Sequence, residues 1–260
     1  MELNKGQWVL IVLCCLWVVT GCSESPPPTS KTASKPSDTE THSPKPTPVK
    51  AVWPFAKGEQ QSADLADNLL TKNYFLVFDG SGSMRDSGCS GSKQKIEVAK
   101  EVVAQWAEGI GPDANLGLIA FHNNGITSLP LTKGGRENFI HTINKIPAGG
   151  GTPLAEAAAY AYEACTNQAK RQLGYGEYTI VIVTDGIADD ATKLKKGIEN
   201  ILTQSPVNIY SIGFCIGANH SLNQPGRTIY KAANNPEQLR QGLQEVLAES
   251  ETFDDSDFSN

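Results

Sequence analysis

Asp79, Ser81 and Ser83 put oxygen-bearing side chains on alternate residues of Asp79-Gly80-Ser81-Gly82-Ser83-Met84, directly after the apolar run Tyr74-Phe75-Leu76-Val77-Phe78. If a strand ends near Asp79 and the chain then turns over Gly80 and Gly82, one carboxylate and two hydroxyls converge on a small hard cation, which takes oxygen ligands. The two glycines supply the backbone freedom that such a turn needs. A Gly/Ser turn with no ligand is the alternative reading of these residues alone. Two more stretches bear on the choice. Thr152 stands between Gly149-Gly150-Gly151 and Pro153-Leu154, and Asp185 follows the run Thr179-Ile180-Val181-Ile182-Val183-Thr184.

Other chemistries fit these residues less well. A calcium EF-hand shares the Asp79, Ser81, Ser83 spacing, but Met84 stands where its turn glycine is required and Ser90 where its bidentate Glu belongs. No G-x-S-x-G nucleophile elbow occurs at Gly80 to Met84. The glycines 149 to 151 before a helix suit a phosphate cradle, yet no Lys follows them as in a P-loop, and flexibility of a metal loop accounts for them better. His42, His122, His141 and His220 show no zinc-like spacing. His122, at a strand end on the expected ligand face, reads as a surface hydrogen-bonding residue.

The elements that must position these groups follow from the apolar pattern. Strands are expected at Tyr74 to Asp79, Leu116 to Phe121, Ile126 to Leu131, Thr179 to Thr184, Ile209 to Phe214 and Thr228 to Tyr230. The pair Asn124-Gly125 between the second and third is a strong hairpin signal. Helical spacing joins Ile96, Ala99, Val102, Val103, Trp106 and Ile110, ended by Gly109 and Gly111. A short helix carries Phe139, Ile143 and Ile146, and a long alanine-rich one runs from Leu154 to about Lys170 with Pro153 at its start. Two more pass through Leu194, Ile198, Ile201 and Leu202, and through Leu239, Leu243, Val246 and Leu247. Residues 53 to 72 are a lead-in in which Leu65, Leu69 and Leu70 suit one face of a short helix. Alternating strands and helices define an α/β protein with a largely parallel sheet. Ligands bind such sheets at the carboxyl ends of the strands, where Asp79 and Asp185 both stand.

In this order and at these spacings, Asp79, Ser81, Ser83, Thr152 and Asp185 resemble the metal-ion-dependent adhesion site of von Willebrand factor A domains. DGSGS after an apolar strand, GGGTPL before a helix and VIVTDG at a strand end are separate signals that agree, and the resemblance covers roughly residues 73 to 249. It implies a Rossmann-like three-layer sandwich with one antiparallel edge strand, and one Mg²⁺ (Mn²⁺ or Ca²⁺ being admissible). Ser81, Ser83 and Thr152 are the implied direct or state-dependent ligands, with Asp79 and Asp185 commonly acting through bound water. The ion then keeps an open position that the Asp or Glu carboxylate of a protein partner can fill, and no bond need be broken. An envelope assembly or chaperone-like adaptor with a structural or regulatory metal is the alternative function, and a metal-dependent hydrolase a lesser one, for want of a general base beyond the ligand carboxylates.

The chain has 260 residues and a net charge of −6, which argues against a nucleic-acid partner, whose footprint is a basic patch. Lys5, the apolar segment Trp8 to Val19 and the small residues before Cys22 read as a signal peptide over residues 1 to 21. Twelve apolar residues are short of the roughly 20 that span a bilayer. Val19-Thr20-Gly21-Cys22 resembles the lipobox of bacterial lipoproteins, with Val19 where Leu is usual. That resemblance makes Cys22 the lipidated mature N-terminus, held to a membrane of the cell envelope. Ser23 rather than Asp beside it favours an outer membrane where the organism has one. Residues 22 to 52 are rich in Pro, Ser, Thr and Lys and read as a disordered tether, some 90 Å long if extended at about 3.1 Å per residue. Residues 250 to 260 read as an acidic tail. Export permits disulfides. Cys89 and Cys215 are both placed on the ligand face, whereas Cys165 lies about 20 Å down its helix from Thr152. The expected pair is Cys89 with Cys215, and three buried thiols are the alternative.

Overall fold

A computed structural model describes residues 53 to 56 and 64 to 251. The signal peptide, Cys22, the tether, His42 and the acidic tail beyond residue 251 lie outside the described residues.

Among the described residues, six strands form one sheet: β1 (Lys72–Gly80), β2 (Asn115–His122), β3 (Gly125–Lys133), β4 (Glu177–Thr184), β5 (Asn208–Phe214) and β6 (Ile229–Ala233), in the order β3-β2-β1-β4-β5-β6. All neighbours are parallel except β2 and β3, so β3 is the antiparallel edge strand; their hairpin turns over Asn123-Asn124, one residue before the expected Asn124-Gly125, with Gly125 already paired to His122. Its alternating half-buried and exposed residues contrast with the continuously buried β1 and β4, as expected of an edge beside central strands.

Among the described residues, five α-helices cover the sheet: α1 (Lys95–Gly109), α2 (Arg136–Lys145), α3 (Leu154–Arg171), α4 (Ala191–Gln204) and α5 (Pro236–Glu251). Side chains alternate across a strand, and β1 divides its own accordingly. Tyr74, Leu76 and Phe78 join the core beneath α1, α2 and α5, while Phe75 and Val77 join the one beneath α3 and α4. The result is the three-layer α/β sandwich of Rossmann type. From β1 the chain passes to β2 on one side and only later to β4 on the other. A topological switch point therefore lies between the carboxyl ends of β1 and β4, where such sheets open a crevice.

The lead-in differs from expectation. Residues 64 to 71 form no helix, and Leu65 and Leu70 are exposed. Polar bonds hold the segment instead. Buried Gln172 donates to the carbonyls of Leu69 and Thr71 at 3.0 and 2.9 Å, and Ala66 N–H donates to Arg171 O at 2.9 Å. Such bonds leave no periodic apolar signal. Trp53 packs edge-on against Tyr178, with ring centroids 5.1 Å apart.

Gly80 and Gly82 also act differently from the reading of them as hinge residues. Neither has a positive φ, and Gly82–Arg85 is a right-handed 3₁₀ turn. Gly80 is a matter of clearance: a Cβ there would lie 2.7 Å from Phe121 O, 3.0 Å from Ile146 Cγ2 and 3.1 Å from His122 Cβ. At Gly82 the nearest atom would be Gly150 O at an ordinary 3.5 Å. Gly80→Ala is therefore expected to destabilise the fold by about 1–3 kcal/mol, read as a lower urea midpoint, while Gly82→Ala stays near wild type. Equal midpoints for the two variants would contradict this account.

Candidate metal centre

Three loops at the switch point carry the five expected residues, and the structure brings them together. β1 delivers Asp79, which is fully buried, and the 3₁₀ turn after it folds Ser81 and Ser83 back over the strand end. Asp79 has the same parity as Phe75 and Val77, so it belongs to the α3 side of the sheet, the side from which Thr152 arrives just ahead of α3. Asp185 follows the last residue of β4. Gly149 N–H donates to Gly80 O at 2.7 Å and Gly82 N–H to Gly150 O at 3.1 Å, stitching the glycine loop to the β1 loop. Gly149 and Gly150 have φ of +145° and +87°, and here glycine's freedom is required. With the Gly149 amide so engaged, these residues brace the site rather than cradle a phosphate.

The hydrogen bonds assign the protons. Ser83 Oγ donates to Asp185 Oδ1 at 2.7 Å. A hydroxyl has a single proton, so in the 3.1 Å contact between Ser81 Oγ and Ser83 Oγ the donor is Ser81. Ser83 thus keeps one lone pair for a cation. Gly186 shows that the two hydroxyls converge: a Cβ built there would lie 3.4 Å from both Ser83 Oγ and Thr152 Oγ1. Asp79 uses both oxygens on protein donors, Oδ1 accepting from Ser81 N–H at 2.7 Å and Oδ2 from Thr184 Oγ1–H at 2.5 Å. Burial pushes its carboxyl pKa up from the ordinary range; the bonds from Thr184 and Ser81 pull it down, and nearby Asp185 adds to the rise. An anion kept dry against that tendency is suited to a compensating cation.

Three residues to which the apolar pattern and motifs assign no role at the site complete the arrangement. Lys95, the first residue of α1, donates from Nζ to Asp185 Oδ2 at 2.7 Å, and both side chains are almost wholly buried. Thr184 is the hydroxyl that holds Asp79. Exposed Asp189 accepts from Thr152 N–H through both oxygens at 3.0 Å and so fixes the Thr152 loop. A usable signal exists for Lys95, which shares a helix face with Ala99, Val102 and Trp106 at i+4, i+7 and i+11.

The histidines are engaged elsewhere. His122 Nδ1 accepts from Asn124 N–H at 3.2 Å, which leaves Nε2–H to donate to Thr127 Oγ1 at 2.9 Å within the hairpin. His220 lies closer to the site. Its Nδ1 accepts from Leu222 N–H at 3.1 Å and its Nε2–H donates to Gly186 O at 2.9 Å, so the neutral ring has no lone pair to spare; burial lowers its pKa. Among the described residues no group of three or more His, Cys, Asp or Glu clusters as a metal site. The donor set is instead rich in hydroxyls, which suits a hard, water-retaining cation such as Mg²⁺ better than zinc.

Cys89 and Cys215 form a disulfide across this end of the sheet, with Cα atoms 5.7 Å apart. Cys165 is a buried free thiol, its pKa pushed up to about 12 by burial.

Known proteins share this fold. A family model described as von Willebrand factor type A domain matches residues 74–259, and the chain belongs to that family. A curated relative, the uncharacterized protein YwmD of Bacillus subtilis (strain 168), is 26% identical over 200 residues, covering 68% of this chain and 85% of that one. Among solved structures, the von Willebrand factor type A protein of Catenulispora acidiphila aligns with a TM-score of 0.56 at 16% identity, over 70% of this chain and 43% of that one. The pilus adhesin SpaC of Lactobacillus rhamnosus GG aligns at 0.55 and 13%, over 72% of this chain and 31% of that one. The manganese-loaded TRAP protein of Plasmodium vivax aligns at 0.51 and 15%, over 69% and 74%. The chain thus spans less than half the length of the first two of these structures, and at such identities the likeness is one of fold.

Proposed function

We propose that the protein is an exported, lipid-anchored binding module that takes an Asp or Glu carboxylate of a protein partner at a Mg²⁺ site built from Asp79, Ser81, Ser83, Thr152 and Asp185. The observation that carries this reading is the convergence of Ser83 Oγ and Thr152 Oγ1, from different loops, on one point beside Gly186 that lies 3.4 Å from each, backed by two buried carboxylates. The residues fit a divalent cation: all five candidate ligands end in oxygen, and Ser83 has already spent its proton on Asp185. When bound, the cation supplies Lewis acidity and an exchangeable position. The chain's own groups supply the rest, holding hydroxyl lone pairs in place and keeping the floor of the site dry.

A binding role is favoured over hydrolysis because, among the described residues, the carboxylates and imidazole at the site are engaged and none stands ready as a general base. Both Asp79 oxygens accept hydrogen bonds, and both His220 nitrogens are engaged. The relatives named as an adhesin and as a TRAP protein are compatible with such a module without specifying its partner. Attachment through Cys22 rests on the lipobox-like sequence, and among the described residues no helix is long and apolar enough to cross a membrane. The tether of residues 22 to 52 then holds the domain, residues 73 to 249, away from the membrane.

Crosslinking on intact cells, with and without chelator, tests the proposal. Partners are expected to disappear on chelation and to return with Mg²⁺. Partners that persist on a chelated, still folded domain would replace it with the adaptor reading, in which any metal is structural or regulatory.

A further inference from the structure

We infer that Lys95 sets the metal selectivity of the site, by withholding one oxygen of Asp185 so that Mg²⁺ or Mn²⁺ is taken in preference to Ca²⁺. The inference rests on the metal reading above and deepens it.

Lys95 stands in an unfavourable place for a cation. It is the first residue of α1, where the helix macrodipole presents its positive end, and only 8% of it is exposed. A buried ammonium is retained only where it is paired, and Asp185 Oδ2, 2.7 Å away, is its partner. The surroundings are shaped to admit it. At Gly88 a Cβ would lie 3.1 Å from Lys95 Cε, so the loop before α1 leaves room for the lysine stem.

The consequence lies in how many carboxylate oxygens the site can offer. Ca²⁺ takes six to eight oxygens, often including a bidentate carboxylate, whereas Mg²⁺ keeps several waters and uses one or two carboxylates. Asp185 has Oδ1 against Ser83 and Oδ2 against the ammonium, so it cannot turn both oxygens to an ion without breaking a buried salt bridge. Asp79 is held by Ser81 N–H and Thr184 O–H, which are neutral donors. Lys95 is therefore the ionic lock on bidentate coordination. It also sets the charge: two buried carboxylates and one ammonium leave a net −1, which a divalent cation turns to +1, a sign that favours an incoming carboxylate. The exposed rim charges, Arg85 on one side and Asp189 on the other, are of opposite sign.

The test is calorimetric titration of MgCl₂, MnCl₂ and CaCl₂ into the full chain in detergent, for the wild type, Lys95→Met and Lys95→Arg. The wild type is expected to prefer Mg²⁺ and Mn²⁺, and Lys95→Arg to keep that order. Lys95→Met should gain Ca²⁺ affinity by about 10-fold or more, the range over which residues that orient metal ligands act, with a smaller gain for Mg²⁺. An unchanged ratio of Ca²⁺ to Mg²⁺ affinity in Lys95→Met overturns the role of Lys95 and leaves the metal site standing. A wild type that binds no divalent cation removes both. Should Lys95→Met fail to fold, Lys95→Gln, uncharged but able to donate to Asp185, decides on the same ratio.

Discussion

Asp79→Asn is expected to give a folded protein whose stability no longer responds to Mg²⁺. At a metal concentration about 100 times the dissociation constant, binding to the native state alone stabilises by about 2.7 kcal/mol, and the variant should show none of that gain. The fold should survive because Asn is nearly isosteric. Its carbonyl oxygen still accepts from Ser81 N–H, and its amide can donate to Thr184 Oγ1, a hydroxyl being able to accept as well as donate. The pH dependence has a definite sign. Burial raises the Asp79 pKa in the folded protein above its unfolded value. Its stabilising contribution is therefore fully present below the unfolded pKa and is lost as pH rises through the folded one. Without metal at neutral pH, the wild type bears the cost of an ionised, dehydrated carboxylate that the variant lacks. Metal-free Asp79→Asn should then be at least as stable as metal-free wild type at pH 7, with the difference shrinking on acidification. Thermal unfolding with and without MgCl₂ at two pH values checks both points. A Mg²⁺-dependent rise in melting temperature that persists in the variant would remove Asp79 from the site.

Asp79 is legible in the sequence because its signal is local. β1 and β4 are central and parallel, so their apolar runs are continuous and stop where the sheet does, at Asp79 and Thr184. Thr152 is legible because a glycine run and a proline bracket a helix start. The lead-in misleads because its attachment uses backbone carbonyls and one buried glutamine, and Leu65 and Leu70, which suggest a helix face, are exposed to solvent. Gly80 invites the wrong property. A glycine needed for clearance and one needed for a positive φ look alike in a sequence, and only the distance to Phe121 O separates them. Lys95 is hidden for a different reason. Its place on the apolar face of α1 signals burial, but nothing local names its partner, and Asp185 is 90 residues away. Residues that offer oxygen to an ion are thus marked by motif, while the residues that restrain them are marked by packing.

Removing the Cys89–Cys215 bridge with a double substitution to Ser is expected to lower stability by about 2–5 kcal/mol. The bridge joins residues 126 apart in the chain. Chain-entropy reasoning gives on the order of 4–5 kcal/mol for loops of that size, an amount that residual order in the unfolded chain reduces. Both half-cystines pack against the core beneath α1, α2 and α5, so Ser at these positions also forfeits apolar contact. Cys215 adds a local demand. Its φ is +67°, a conformation uncommon for a residue with a side chain, held by the bridge on one side and by its N–H donating to Ala233 O at 2.7 Å on the other. The placement matters for the site as well. Cys89 lies in the loop that leads from the Ser81 and Ser83 turn to Lys95, and Cys215 lies just past the end of β5, the neighbour of β4, which leads to Asp185. The bridge therefore limits how far the β1 loop can move from the Asp185 side, and its loss should weaken Mg²⁺ binding as well as lower the urea midpoint. Asp79→Asn is expected to abolish the metal response while leaving metal-free stability intact, whereas the serine pair should reduce both together. A serine variant with the wild-type midpoint would show that the bridge constrains nothing the fold does not already hold.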